Sequence, residues 1–229
     1  MNLLTLFLLI LCVGMGLMLL RQLRQKTSKT LTSTNTPSMP DNTELTITHV
    51  RQGGIIRLNG VGTEFAEFDA EVVGYHTYRC GSSTWHELEC ERGSSEKIWL
   101  ELEQDDALEL SIGLKKLTLN ELGIEKETLI TFDDDEEGQF TFDGITYHYE
   151  DSDQATFYRH SDFNTPEPFY YWDFESQDGQ HYLSIEVWDA KTAKDLSHAS
   201  KSTIDVTYSQ PIRESNITVY RLEAETVSL

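Results

Sequence analysis

The residues able to do chemistry fall into five groups. Asp133-Asp134-Asp135-Glu136-Glu137-Gly138 is the densest charge in the chain. Its spaced carboxylates resemble a calcium loop, but the bidentate glutamate of such a loop would fall at Gly144, and the flanks read as strands. A solvated, self-repelling hairpin turn is expected there. His76, His86, His148 and His160 include no His-x-His or His-x-x-x-His pair, so they are expected to be surface or core imidazoles. Cys80 and Cys90 bracket GSSTWHELE. On the cytoplasmic side they would be reduced and partly buried, whereas in an oxidising compartment they could bridge adjacent strands. Glu87 and Glu101 could share acid–base work, but among 39 acidic residues some pair is always close, and such a pair means little without a pocket. Phe169, Tyr170, Tyr171, Trp172 and Phe174 are a possible interaction surface: on a strand about half would enter the core, leaving up to three exposed. No Gly-x-Ser-x-Gly, phosphate-cradling glycine loop or His-Glu-x-x-His occurs. No catalytic residue, cofactor or metal is therefore expected.

The elements carrying these groups read as β structure. From Thr43 onward the dominant period is two, first at Leu45, Ile47 and His49, where Gly53-Gly54 ends the run. Phe68–Cys80, Ile98–Leu102 and Leu108–Leu114 continue the alternation, and late strands fit Ser202–Tyr208 and Asn216–Leu222. Asp143-Gly144 and Asp178-Gly179 stand between alternating stretches, a strong hairpin signal because a tight turn needs positive φ. Helical signals are few: Thr118-Leu119-Asn120-Glu121 has capping-box spacing with Gly123 as terminator, and Ala190–Ser197 reads as a short helix or loop. An echo runs through the pattern. Trp85-His86-Glu87-Leu88-Glu89 precedes Trp99-Leu100-Glu101-Leu102-Glu103, as Tyr171-Trp172-Asp173-Phe174-Glu175 precedes Tyr182-Leu183-Ser184-Ile185-Glu186. The expected fold is mainly β, an antiparallel sandwich or barrel-like domain of two similar modules, 43–123 and 127–222.

Charge divides the 229 residues unevenly. The formal net charge is −21, which argues against nucleic-acid binding. Residues 1–20 hold no charge, and Leu3–Leu20 is apolar apart from Thr5, Gly14 and Gly16, long enough for one transmembrane helix. Arg21, Arg24, Lys26 and Lys29 follow, so the positive-inside rule places them and all that follows in the cytoplasm, with Met1 outside. No cleavage site follows the apolar run, and Leu11 before Cys12 argues against lipidation. Residues 21–42, basic and then Ser/Thr-rich, read as a linker reaching roughly 20–25 Å, and 43–229 as an acidic β domain held off the lipid.

Several of these residues resemble a bacterial family known as domain of unknown function 4178. They are Gly74/Tyr78, Trp85/Glu87/Leu88, Trp99/Leu100/Glu103, Leu119/Leu122/Gly123, Tyr147/Tyr149 and Tyr182–Glu186, spanning roughly residues 45–208. Leu88 stands where the family pattern has a tyrosine. The resemblance implies a β-rich, non-enzymatic module in a membrane-associated or envelope-stress system, with no catalytic residues to assign. The expected protein is a single-pass inner-membrane protein. Its domain engages another protein, through a β edge or the 169–174 stretch, or else binds a ligand in an aromatic-lined pocket. A roomy pocket holding Tyr171 or Trp172 would favour the ligand; a filled core would sink it.

Overall fold

A computed structural model describes residues 45–62, 65–93, 96–104 and 107–223. The expected membrane span at 1–20 and the linker at 21–42 lie outside these residues. Among the described residues, no helix is long and apolar enough to cross a membrane.

The described residues form one sheet of eleven strands: β1 Ile55–Val61, β2 Ala66–Cys80, β3 Ser83–Arg92, β4 Glu96–Gln104, β5 Leu108–Leu117, β6 Gln139–Phe142, β7 Ile145–Tyr158, β8 Pro166–Ser176, β9 Tyr182–Trp188, β10 Ile204–Pro211 and β11 Ile217–Arg221. Two helices, α1 Leu119–Leu122 and α2 Lys126–Asp135, join β5 to β6. The strand order is β11-β1-β2-β3-β4-β5-β10-β9-β8-β7-β6, and β2 also pairs with β7. Strands β2 to β5 and β10 to β7 therefore close into a ring of eight. Closure rests on two long strands that each serve two neighbours along one edge. The first half of β2 pairs with β1, as in Ile56↔Ala70, while its end pairs with β7 at Thr77↔Tyr158, Tyr78↔Phe157 and Arg79↔Thr156. The start of β7 pairs with β6 in the same way.

Local chemistry explains the turns. Asp143 and Gly144 both have positive φ, 51° and 79°, as the tight β6–β7 hairpin requires. Thr118 caps α1 by accepting from the Glu121 N–H, and Gly123 ends it in the left-handed region. Two expectations are corrected. Ile47–His49 is a 3₁₀ turn rather than a strand, with Ile47 buried beneath the sheet. The Asp133–Asp135 run is the last turn of α2 rather than part of a hairpin turn, because Leu129, buried in the core, anchors a helix that turns Asp134 and Asp135 to solvent and Asp133 towards Tyr170.

Alternation gives every ring strand an apolar and a polar face. Most apolar side chains point to two separate cores outside the ring, and a third cluster of Tyr78, Ala155, Phe157, Phe169 and Tyr171 lies on its inner side. Leu88, Leu100, Leu102, Leu110 and Ile112 pack with Ile56, Leu58 and Val72. Trp172, Phe174, Leu183, Ile185 and Val206 pack with Leu122, Leu129 and Leu196, so the helical segments cover that side. The remaining faces, polar apart from that aromatic cluster, turn towards the middle of the ring.

Candidate functional site

Those inward faces line a hollow of about 910 Å³ bordered by Trp85, Phe169, Tyr171 and Tyr182 together with Glu101, Asp173 and Glu186. A smaller hollow of about 360 Å³ shares Glu186 and adds Tyr78, Glu87, Trp99, Lys116 and Trp188. Eight strands are the number that leaves room for either packed side chains or one small ligand. Here the space is open.

Strand register sets acids directly against each other. Glu87 faces Glu101 across β3 and β4, and Glu103 faces Glu109 across β4 and β5. Asp205 faces Glu186, and Asp151 faces Asp173. Like charges directly opposed on one face destabilise a sheet, so this pattern works against the fold. The central four carboxylates come from both halves of the ring. Glu101 is open to lumen water yet ringed by protein, and this enclosure pushes its carboxyl up to about 8, with Glu87, Asp173, Glu103 and Glu186 adding repulsion. Enclosure likewise lifts Glu186 to about 8, with repulsion from Glu87, Asp205 and Asp173 partly offset by Lys116. Glu87 rises to about 7, less than the other two glutamates, because the Tyr78 hydroxyl donates to it at 2.6 Å and Lys116 lies near. Asp173 rises to about 6, held back by a hydrogen bond from Ser184.

The aromatic groups are equally organised. Tyr78 stacks on Trp85 with centroids 5.4 Å apart, and Trp85 meets Tyr171 edge-on at 6.4 Å. Tyr171 donates to Asp151 at 2.8 Å. Beside this wall, His76 is fully buried, its Nε2 3.3 Å from Glu89 and its Nδ1 accepting the His160 N–H at 3.0 Å. A Cβ on Gly74 would lie 2.5 Å from His76 Nε2, so only glycine leaves that ring its place.

The five aromatics of the 169–174 stretch do not form an exposed surface: all are buried. Neighbours β7 and β9 pair β8 on both edges, Phe169 and Tyr171 take the lumen side, and Tyr170, Trp172 and Phe174 pack into the core beneath α2. Trp172 Nε1 donates to the Leu129 carbonyl at 3.0 Å. Asp133 accepts from Tyr170 and Ser152, both at 2.5 Å, which makes it a structural acceptor. Cys80 and Cys90 are free thiols opposite Ser83 and Val72, at opposite ends of one hairpin roughly 20 Å apart, too far to bridge. Among the described residues no group of three His, Cys, Asp or Glu side chains could hold a metal ion.

Sequence reasoning noticed Glu87 and Glu101 but missed Asp173, Glu186, Tyr78 and Trp85 as one site. The available signal was the repeated aromatic-x-acid step, Trp85-x-Glu87 and Tyr171-x-Asp173, whose four residues all border the two hollows. Comparison with curated proteins and with solved structures finds no match. Residues 63–201 match the model of the family described as domain of unknown function (DUF4178), and the chain belongs to that family.

Proposed function

We propose that the domain binds a small molecule in the ring's lumen. One observation carries this reading: an open hollow of about 910 Å³, bordered by Tyr171 and four further aromatics, inside a ring whose aliphatic residues mostly pack into cores on its outer side. That volume lies within the range of small-molecule sites, which combine aromatic walls with a few convergent polar groups. The destabilising acid pairs support it, since residues that cost stability persist where a site needs them. Docking to a protein has less support. The aromatic stretch is buried, and the sheet edges β6 and β11 are only four and five residues long, short for strand addition.

Two features of the architecture complete the proposal. The strand order reads the same from either side of the β5–β10 contact if β11 is set aside, and the sequence echo falls on β3 and β4 and again on β8 and β9. We take the ring as two similar β modules, each contributing one wall of the lumen. An N-terminal helix over 1–20 would anchor the chain in an inner membrane as a single span, with the domain in the cytoplasm.

Filling the lumen tests the binding reading. Ser184 faces it from β9, so Ser184→Trp is expected to occupy it without touching either core. In a thermal-shift screen of the full chain in detergent, at least one metabolite is expected to raise the melting temperature of the wild type and leave Ser184→Trp unmoved. A screen with no such compound, or hits indifferent to the plug, would count against the lumen. For topology, Glu121→Cys places a thiol on an exposed position of α1. It should react with an impermeant maleimide only after cells are permeabilised, and labelling of intact cells would invert the assignment.

A further inference from the structure

The chemistry of the lumen narrows its ligand, given the reading that the lumen is a binding site at all. Nine carboxyl residues border the larger hollow against one cation, Arg213. They do not cluster at one point. Glu103, Glu109 and Glu175 lie one alternation step beyond Glu101, Ser111 and Asp173 along their strands, while Glu87, Glu186 and Asp205 lie towards the smaller hollow. At that end two of the three cations are already paired with carboxylates. Lys97 is paired with Glu89, Arg159 with Glu167 at 3.4 Å, and Lys116 donates to Thr207 at 2.8 Å. The groups facing Glu101 from the other walls are Glu87 on β3, Asp173 on β8 and Glu186 on β9, all acidic. Those facing Glu186 are Glu87, Asp173 and Asp205, with Lys116 on β5.

A divalent metal ion does not suit this arrangement, because the carboxylates are spread along the lumen rather than gathered into a coordination shell. A single ammonium group would neutralise one pair and leave the others opposed. Aromatic faces beside the acids attract organic cations and pack against methylene chains.

We propose that the lumen takes an elongated aliphatic polyamine, its ammonium groups seated on the Glu87–Glu101 pair and on Asp173 and Glu186, its methylenes lying along Trp85, Tyr171 and Tyr182. Such a ligand relieves the repulsion among the opposed acids. Before it enters, protons occupy part of those carboxyls, so binding expels protons and strengthens as pH rises from about 6 to about 8. Neutral solutes gain nothing from the same change.

The test is calorimetric titration of the full chain in detergent with spermidine, at about pH 6 and about pH 8, in two buffers of different ionisation enthalpy. Binding with proton release is expected at the higher pH, weakening about tenfold or more at the lower, one pH unit of protonation being a tenfold effect. Glu101→Gln/Glu186→Gln should weaken spermidine about tenfold or more, while Glu121→Gln, on α1 and away from both hollows, should bind as the wild type. Circular dichroism of the double variant checks that it is folded. Absence of heat at both pH values, or a double variant that binds as the wild type, overturns the proposal. Nile red, neutral and apolar, separates the two readings. If it enters the wild type but not Ser184→Trp while spermidine fails, the cation assignment falls and the lumen stands; if both probes fail, both readings fall.

Discussion

A carboxyl whose proton is held by enclosure makes the folded state bind more protons than the unfolded chain. Glu101 and Glu186 at about 8 and Glu87 at about 7 all lie above the ordinary glutamate value. Their stabilising contribution is therefore complete below about pH 4 and is lost as pH rises through about 7 to 8. Asp162, Asp178 and Asp195 act oppositely. Hydrogen bonds hold their carboxyls below the usual range, so they lose their contribution only as the solution becomes strongly acidic. The domain should be most stable in mildly acidic solution. Glu101→Gln removes one ionisable member of the repelling set, so it should raise the midpoint of urea unfolding at about pH 8 and change it little at about pH 5. An equal shift at both values would mean that the carboxyl is not titrating in this window. Glu87 and Glu101 were visible in the sequence as a spaced pair, but what separates them from thirty-odd other acids is enclosure, and only closure of the ring creates that.

Elements were legible in proportion to how local their causes are. The Asp143-Gly144 hairpin and the α1 cap depend on residues adjacent in sequence, and both stand where the residues imply. Helix α2 was hidden because its core side is supplied by a single fully buried residue, Leu129, and its end is three consecutive aspartates, a poor match to the negative pole of a helix. Tertiary packing overrides that local preference. Leu129 meets the Trp172 indole through its carbonyl and fills the second core with its side chain. Leu129→Ala should cost about 2–5 kcal/mol in denaturant unfolding, with α2 lost first in hydrogen exchange. A cost well under 1 kcal/mol would show that α2 is not a structural cover for β8. The alternation in WHELE and WLELE was equally plain, and so was the existence of two faces. Which face is inside does not follow from a period of two. The acids face inward here, beside the cluster of Tyr78, Phe157, Phe169 and Tyr171, because most aliphatic residues are claimed by cores outside the ring.

At the scale of the molecule, closure depends on pairings far apart in sequence. Tyr78 and Phe157 are brought together by two strands that each change neighbour halfway along. No local signal marks such a change, although bulges between Val72 and Gly74 and between Tyr149 and Asp151 fall where each strand bends. The acidic total of −21 likewise gains meaning only through its placement. Part of it is surface charge, and part is gathered inside the ring, where the carboxyls repel one another. These inner carboxyls are enclosed together. Carbon-13 NMR titration of the Glu101 and Glu186 carboxyls in the ligand-free full chain measures that directly. Midpoints near 8 are expected for both. Midpoints near the ordinary glutamate value of about 4.3 would show two freely solvated groups and contradict an enclosed lumen.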